Sequence, residues 1–275
     1  KIVVAYRDNG NSSYGTAIVG TVSGTSISFG TAVVYNSSSA APNSLTFDSS
    51  NNKVVVVYKS IGNSSYGTAS VGTVSGTSIS FGSQATFSNN STVDNDSVVT
   101  FDSNANKVVV VYEDTGNSNY LTTVVGTVSG TDITFGTPVV TDNTGNVSYK
   151  SVSFDSNVNQ VVTAYEVGAV GYYIVGGVSG TSISYGSRVV FNSNYSGYIT
   201  QTFDTSQNTT VIAYRDTGNS NYGTAKGLQL TGAYPNLVPN STYYVQDDGT
   251  LSTTSSSVTA GKAMSTNSIN LDYST

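Results

Sequence analysis

Five places in the 275-residue chain carry charged side chains directly after a tyrosine that ends a valine-rich run: Arg7-Asp8, Lys59, Glu113-Asp114, Glu166 and Arg215-Asp216. Guanidinium, ammonium and carboxylate groups gathered at one end of a fold can bind a carbohydrate or an acidic sugar through charge-assisted hydrogen bonds. Two carboxylates facing one glycosidic bond would instead make a hydrolase, one serving as acid and the other as base or nucleophile. The carboxylates available for that are Glu113 and Glu166, the only glutamates, with Asp8, Asp114 and Asp216. A second recurrent set, Tyr14, Tyr66, Tyr120, Tyr172 and Tyr222, follows a Gly-Asn turn and offers rings for sugar stacking or for filling space between sheets. The expected ligand-binding set is therefore these five tyrosines with Arg7, Lys59, Glu113, Glu166 and Arg215. The plainer alternative is a row of solvated strand ends whose ion pairs contribute little.

Composition narrows the chemistry. The absence of cysteine removes thiol and disulfide chemistry, and the absence of histidine removes the commonest general base and transition-metal ligand. A net charge of −6, with ten Lys and Arg scattered along the chain, speaks against a nucleic-acid partner. No apolar run is long enough to span a membrane as a helix. Four Phe-Asp pairs, at Asp48, Asp102, Asp155 and Asp204, precede Ser- and Asn-rich turns. They read as caps that accept hydrogen bonds from their own turn amides rather than as calcium ligands. Asp94, Asp96 and Asp247-Asp248 are weak calcium candidates, because a site needs several oxygens from one loop. No catalytic residue, metal or cofactor is assigned.

These residues sit in a repeat. "KIVVAYRDNGNSSYG" opens the chain and returns as "KVVVVYKSIGNSSYG" from Lys53 and "KVVVVYEDTGNSNY" from Lys107, with weaker copies from Gln160 and Thr210, a period of roughly 50 residues. "VGTVSGTSISFG" recurs beside them from Val19, Val71, Val125 and Val175. Each repeat reads as four strands: "SLTFD", then "KVVVVY", then "TASVGTV", a tight Ser-Gly-Thr corner, and a strand broken at its central glycine. The second strand is apolar on both faces, so both faces need cover, and neighbouring sheets supply it in a β-propeller. A β-sandwich would instead alternate apolar and polar in nearly every strand. The expected fold is all-β, a five-bladed β-propeller of four-stranded antiparallel blades over residues 1–230. A non-repeat β hairpin segment follows over 231–266. The chain opens at the second strand of a blade, and "NSINLDYST" at its end matches the missing first strand. Residues 267–275 are therefore expected to pair with residues 1–6 and close the ring, the alternative being an array with a separate β cap.

The "GNSxYGTAxVGTVSGTSISFG" repeat resembles tandem repeats in proteins of marine bacteriophages and bacteria. The segment "LVPNSTYYVQDDGTLSTTSSSVTAGKAMSTNSINL" resembles C-terminal segments of phage tail-fibre and other virion-surface proteins, with Asn240 where their pattern has glycine. The resemblance implies a structural or receptor-binding role at a virion or cell surface, names no ligand and transfers no catalytic residue. With the repeated polar and aromatic loops, the expectation is a non-enzymatic protein of a virion or extracellular surface that recognises a host-surface glycan or receptor, repeated weak contacts adding by avidity. Other virion or fibre proteins and a homo-oligomer are further expected partners. A purely structural spacer or decoration protein is the alternative, and a propeller glycoside hydrolase a second.

Overall fold

A computed structural model of the chain describes residues 1–88, 93, 96–230, 242–245, 251–252, 258–265 and 268–271. It divides into one unit over Lys1–Gln229 and another over Leu230–Thr275. The first unit holds the repeats as successive antiparallel sheets, and no α-helix occurs among the described residues.

The second strands are Ile2–Asp8, Lys53–Ser60, Lys107–Asp114, Gln160–Val167 and Thr209–Asp216. Each pairs with a third strand: Tyr14–Ser23, Tyr66–Ser75, Tyr120–Ser129, Val170–Ser179 and Tyr222–Leu228. First, inner strands lie on the other side of the second strand in repeats 2 to 5, and Val33–Asp48 serves both as outer strand of repeat 1 and as inner strand of repeat 2. Outer strands are split, as Asp132–Phe135 and Val139–Asp142 are in repeat 3, each half pairing with a different stretch of the third strand.

The split has a packing cause. A Cβ added at Gly82 would lie 2.2 Å from the carbonyl oxygen of Thr131, which belongs to the Ser-Gly-Thr corner of the next repeat. Gly30 meets Thr77 and Gly136 meets Thr181 in the same way, at 2.0 and 2.1 Å. The glycine after the outer-strand aromatic is thus a socket for the neighbouring repeat.

The two-faced apolar strand is also explained. Val54, Val56 and Tyr58 pack with Ala17, Val19 and Tyr35 of repeat 1, while Val55 and Val57 pack with Val108, Val110 and Tyr112 of repeat 3. Val109 and Val111 continue the pattern with Val161 and Tyr165 of repeat 4. Each buried valine contributes about 1.5–3 kcal/mol, so the core is a series of layers between repeats. At repeat 1 one face stays uncovered. Ile79, Ile133 and Ile183 are at most 5% exposed, whereas the equivalent Ile27 is 48% exposed.

The Phe-Asp aspartates cap their turns as expected. Asp48 Oδ1 accepts from the amides of Ser50 and Asn51 at 3.0 and 2.9 Å, and Asp102, Asp155 and Asp204 repeat the arrangement. The Gly-Asn turn differs from its reading. The left-handed residues are the pair after Gly-Asn, namely Ser12-Ser13, Ser64-Ser65, Ser118-Asn119 and Ser220-Asn221.

The second unit is a four-stranded antiparallel sheet of Thr242–Val245, Leu251–Ser252, Val258–Ser265 and Ser268–Leu271. Here the expected ring closure is corrected. Ser268–Leu271 pairs with Val258–Ser265, Ile2–Asp8 pairs with Tyr14–Ser23, and among the described residues the repeat sheets are not joined into a closed ring; 267 and 272–275 lie outside those residues. A hairpin to a strand a few residues away costs far less loop-closure entropy than pairing with the other end of the chain. Asp94, Asp247 and Asp248 lie outside the described residues.

Candidate functional site

The register places the five sequence-nominated charges at one equivalent position. Arg7, Lys59, Glu113, Glu166 and Arg215 pair with Gly15, Gly67, Leu121, Gly171 and Gly223, all at the same end of their second strands. Their surroundings are unequal. Arg7 is exposed and donates to Ser13 Oγ, Lys59, Glu113 and Arg215 are half-buried, and Glu166 is buried. Tyr14, Tyr66, Tyr120 and Tyr222 form a true series, paired with Asp8, Ser60, Asp114 and Asp216. Tyr172 does not belong to it. The turn of repeat 4 is only Gly168-Ala169, so Tyr172 pairs with Tyr165, where the other repeats place a threonine. Three of the series are half-buried and Tyr222 is 65% exposed, so the repeats do not present equal sites.

Two of the nominated charges meet residues that no repeat motif had marked. The inner strands Ser148–Asp155 and Ser196–Asp204 each carry a bulge, between Ser148 and Ser151 and between Gly197 and Thr200. The bulges hold Tyr149 at φ 47° and Tyr198 at φ 53°. A bulky side chain in the left-handed region costs about 1–3 kcal/mol and persists only where the surroundings impose it. The two rings lie 5.2 Å apart, and Tyr195 stands edge-on to Tyr149 at 6.0 Å. The Arg215 guanidinium lies 5.1 Å from the Tyr198 ring and 5.7 Å from the Tyr195 ring. Gly197 leaves room for this, since a Cβ there would sit 3.3 Å from Arg215 Nη2 and from the Tyr195 ring. Arg215 Nε is buried without an acceptor. Thr217 fixes the loop by donating to the Tyr195 carbonyl from its amide and hydroxyl.

Glu166 lies behind this cluster and accepts from the Ala169 amide. Burial pushes its carboxyl above the usual range, and that one hydrogen bond offsets only part of the shift. The Tyr195 hydroxyl is also pushed up, first by its hydrogen bond with Tyr149, then by burial and by the charges of Tyr149 and Glu166, with Arg215 opposing. The result is a partly exposed platform of three tyrosines and one cation, at the strand end where the charges were expected.

A second departure from the repeat lies between repeats 3 and 4. Elsewhere a third-strand glycine accepts an outer-strand ring, as Gly15 does Tyr35, Gly67 Phe87 and Gly171 Phe191. That ring then packs on the next repeat's tyrosine at 5.0–5.3 Å. In repeat 3 the glycine is Leu121 and the ring is Thr141, and a cavity of about 520 Å3 opens beside Thr141, Asp142 and Arg188. The freed space is polar. Asp142 accepts from Tyr165 Oη and pairs with Arg188 at 2.9 Å, and Arg188 lies 4.4 Å over the Tyr172 ring. Burial raises the Asp142 pKa, but hydrogen bonds from Thr144, Tyr165 and Arg188 outweigh it and hold the carboxyl below its ordinary value. Among the described residues no group of three or more acidic side chains could hold a metal.

No protein-family model matches the chain, and no curated protein matches it. Among solved structures it is similar to the NanB sialidase from Streptococcus pneumoniae in complex with 2-[(3-chlorobenzyl)ammonio]ethanesulfonate. Identity is 14%, the TM-score 0.52, and the match covers 79% of this chain. The chain spans 36% of the length of that structure. The likeness is one of fold, and with the layered sheets it makes the first unit propeller-like.

Proposed function

We propose that the chain is a non-enzymatic recognition protein whose tyrosine–arginine platform binds an acidic glycan. The observation that carries this reading is the pair of left-handed tyrosines, Tyr149 and Tyr198, held at the same bulge of consecutive repeats with Tyr198 67% exposed. Strain and exposure of a large ring both cost stability, and a ligand that stacks on the rings and pairs with Arg215 is a physical reason to keep both. Tyrosine offers flat amphipathic area at low entropy cost, which suits shallow sugar contacts. We place this recognition at a virion or other extracellular surface, with a host-surface glycan or receptor as partner, further virion or fibre proteins as neighbours, and self-association supplying avidity.

We also propose that the five repeats form the blades of one propeller. Support comes from the inner strands of repeats 2 to 5, which stand around one shared cavity, and from the uncovered Ile27 face of repeat 1, which matches the faces buried between other repeats.

The hydrolase reading has one observation behind it: Tyr195 stands beside Arg215, 5.7 Å from ring to guanidinium, and a tyrosine nucleophile is known among glycosidases. A raised tyrosine hydroxyl is a poor nucleophile at neutral pH, which is why recognition is preferred. Binding of the purified protein to an array of acidic and neutral glycans tests the proposal. Binding to acidic glycans that falls at least tenfold in Arg215→Gln and in Tyr198→Ala supports it. Acidic-glycan binding untouched by both substitutions, or none from a folded sample, refutes it and leaves a spacer role.

A further inference from the structure

The end of the repeats opposite the tyrosine platform has its own cavity, of about 490 Å3. It falls within the roughly 300–1,000 Å3 of small-ligand sites. Four inner strands line it, and each contributes the phenylalanine of its Phe-Asp pair: Phe47, Phe101, Phe154 and Phe203. Between the rings stand hydroxyl side chains, including Thr46, Thr100, Ser153 and Thr202, and no charged side chain lines the space. The neighbouring aspartates are engaged by the amides of their own turns. Phe47 is 53% exposed.

One polar side chain of the lining is held rigid. Gln201 lines the cavity, and its carboxamide is fixed by Nε2 donating to Ser153 Oγ at 2.9 Å and to the Val162 carbonyl at 2.7 Å. A backbone carbonyl only accepts, so the amide orientation is set. Gln201 Oε1 is buried with no donor, so the carboxamide is a fixed part of the cavity wall.

We propose that this phenylalanine-lined cavity is a second binding site, for an uncharged sugar ring. Aromatic faces suit the apolar C–H face of such a ring, and the threonine and serine hydroxyls suit its hydroxyls. The absence of lining charge selects against acidic and basic ligands, which distinguishes this site from the Arg215 platform. The two assignments stand or fall separately.

The test is saturation-transfer NMR and calorimetry of the whole chain with methyl glycosides of neutral hexoses and their disaccharides, with cyclohexanol as a purely apolar probe. Thr202→Lys, at an exposed position, places a long charged chain in the cavity without touching the core, and Phe47→Ala removes the exposed ring. The expected result is neutral-sugar binding that survives about 1 M salt, where charge attraction is screened within about 3 Å, and weakens at least tenfold in both variants with unchanged circular dichroism. The proposal is overturned if no neutral sugar binds or only cyclohexanol does. It is equally overturned if sugar binding survives Thr202→Lys but is lost in Arg215→Gln, which would put the sugar on the platform.

Discussion

Tyr198 separates the role of the strained bulge from ordinary packing, because alanine and glycine remove the same ring but differ in backbone. Two-thirds of the side chain is already exposed, so truncation forfeits about one third of the roughly 1.5–3 kcal/mol that full burial of a large apolar side chain contributes, or about 0.5–1 kcal/mol. Tyr198→Ala loses that and keeps the left-handed strain. Tyr198→Gly loses the same contacts but relieves about 1–2 kcal/mol of strain at φ 53°. Against that stands about 0.5–1 kcal/mol of extra chain entropy for glycine. Glycine is therefore expected to be more stable than alanine by about 0.5–1 kcal/mol. For a domain of this size that is a Tm difference of about 1–4 °C. Thermal unfolding of the two variants measures the difference, and glycan binding by each measures function. Both variants are expected to lose binding, so the more stable one binds no better. A glycine variant less stable than alanine would refute the strain argument, and intact binding in both would remove Tyr198 from the site.

The socket glycines offer an internal control. Gly82→Ala drives a Cβ to 2.2 Å from the Thr131 carbonyl, whereas the equivalent Gly186→Ala meets nothing closer than 3.9 Å; the first should cost about 1–3 kcal/mol by overpacking and the second should lie within about 0.5 kcal/mol of the parent, both read by denaturant unfolding. Glu166 supplies a pH test. Its carboxyl is raised by burial, so its contribution to stability is present below the unfolded value, about 4.3, and is lost as pH rises through the folded value. Glu166→Gln is therefore expected to raise the Tm at pH 7, and the two proteins should converge below about pH 4; an equal gain at both pH values would show that the carboxylate charge is not the cause.

Much of the fold was legible because the repeat states it several times. Valine runs apolar on both faces implied cover on both sides, and they lie between neighbouring repeats. The glycine of Ser-Phe-Gly implied a break, and the aspartate of Phe-Asp implied a turn cap. Counting along the repeat failed where a turn changed length: Gly168-Ala169 replaces five residues with two, which carried Tyr172 to the threonine position. The site was only half legible. Arg215 and Glu166 follow the repeat frame, but Tyr149 and Tyr198 lie in bulges, and tyrosine is among the residues least expected at positive φ. The available signal was the change of local sequence, "NVSYKS" and "NYSGYIT" where repeat 2 has "APNSLT", and a tyrosine there reads as one more strand aromatic.

The two departures from the repeat differ in kind, and the difference separates drift from function. Between repeats 3 and 4, Leu121 grows as Thr141 shrinks, Asp142 accepts four hydrogen bonds, and Arg188 is paired. There the charged groups are paired with each other and with Tyr165, beside a cavity of about 520 Å3. Between repeats 4 and 5 the rings pack on one another and on Arg215, but strain stays. Two tyrosines remain in left-handed backbone, one of them largely exposed, and the Arg215 Nε remains buried without an acceptor. Substitutions that lower stability without compensation are removed unless they serve something outside the folded chain. On that ground the platform, rather than the more regular charge series, is where we propose that a ligand binds.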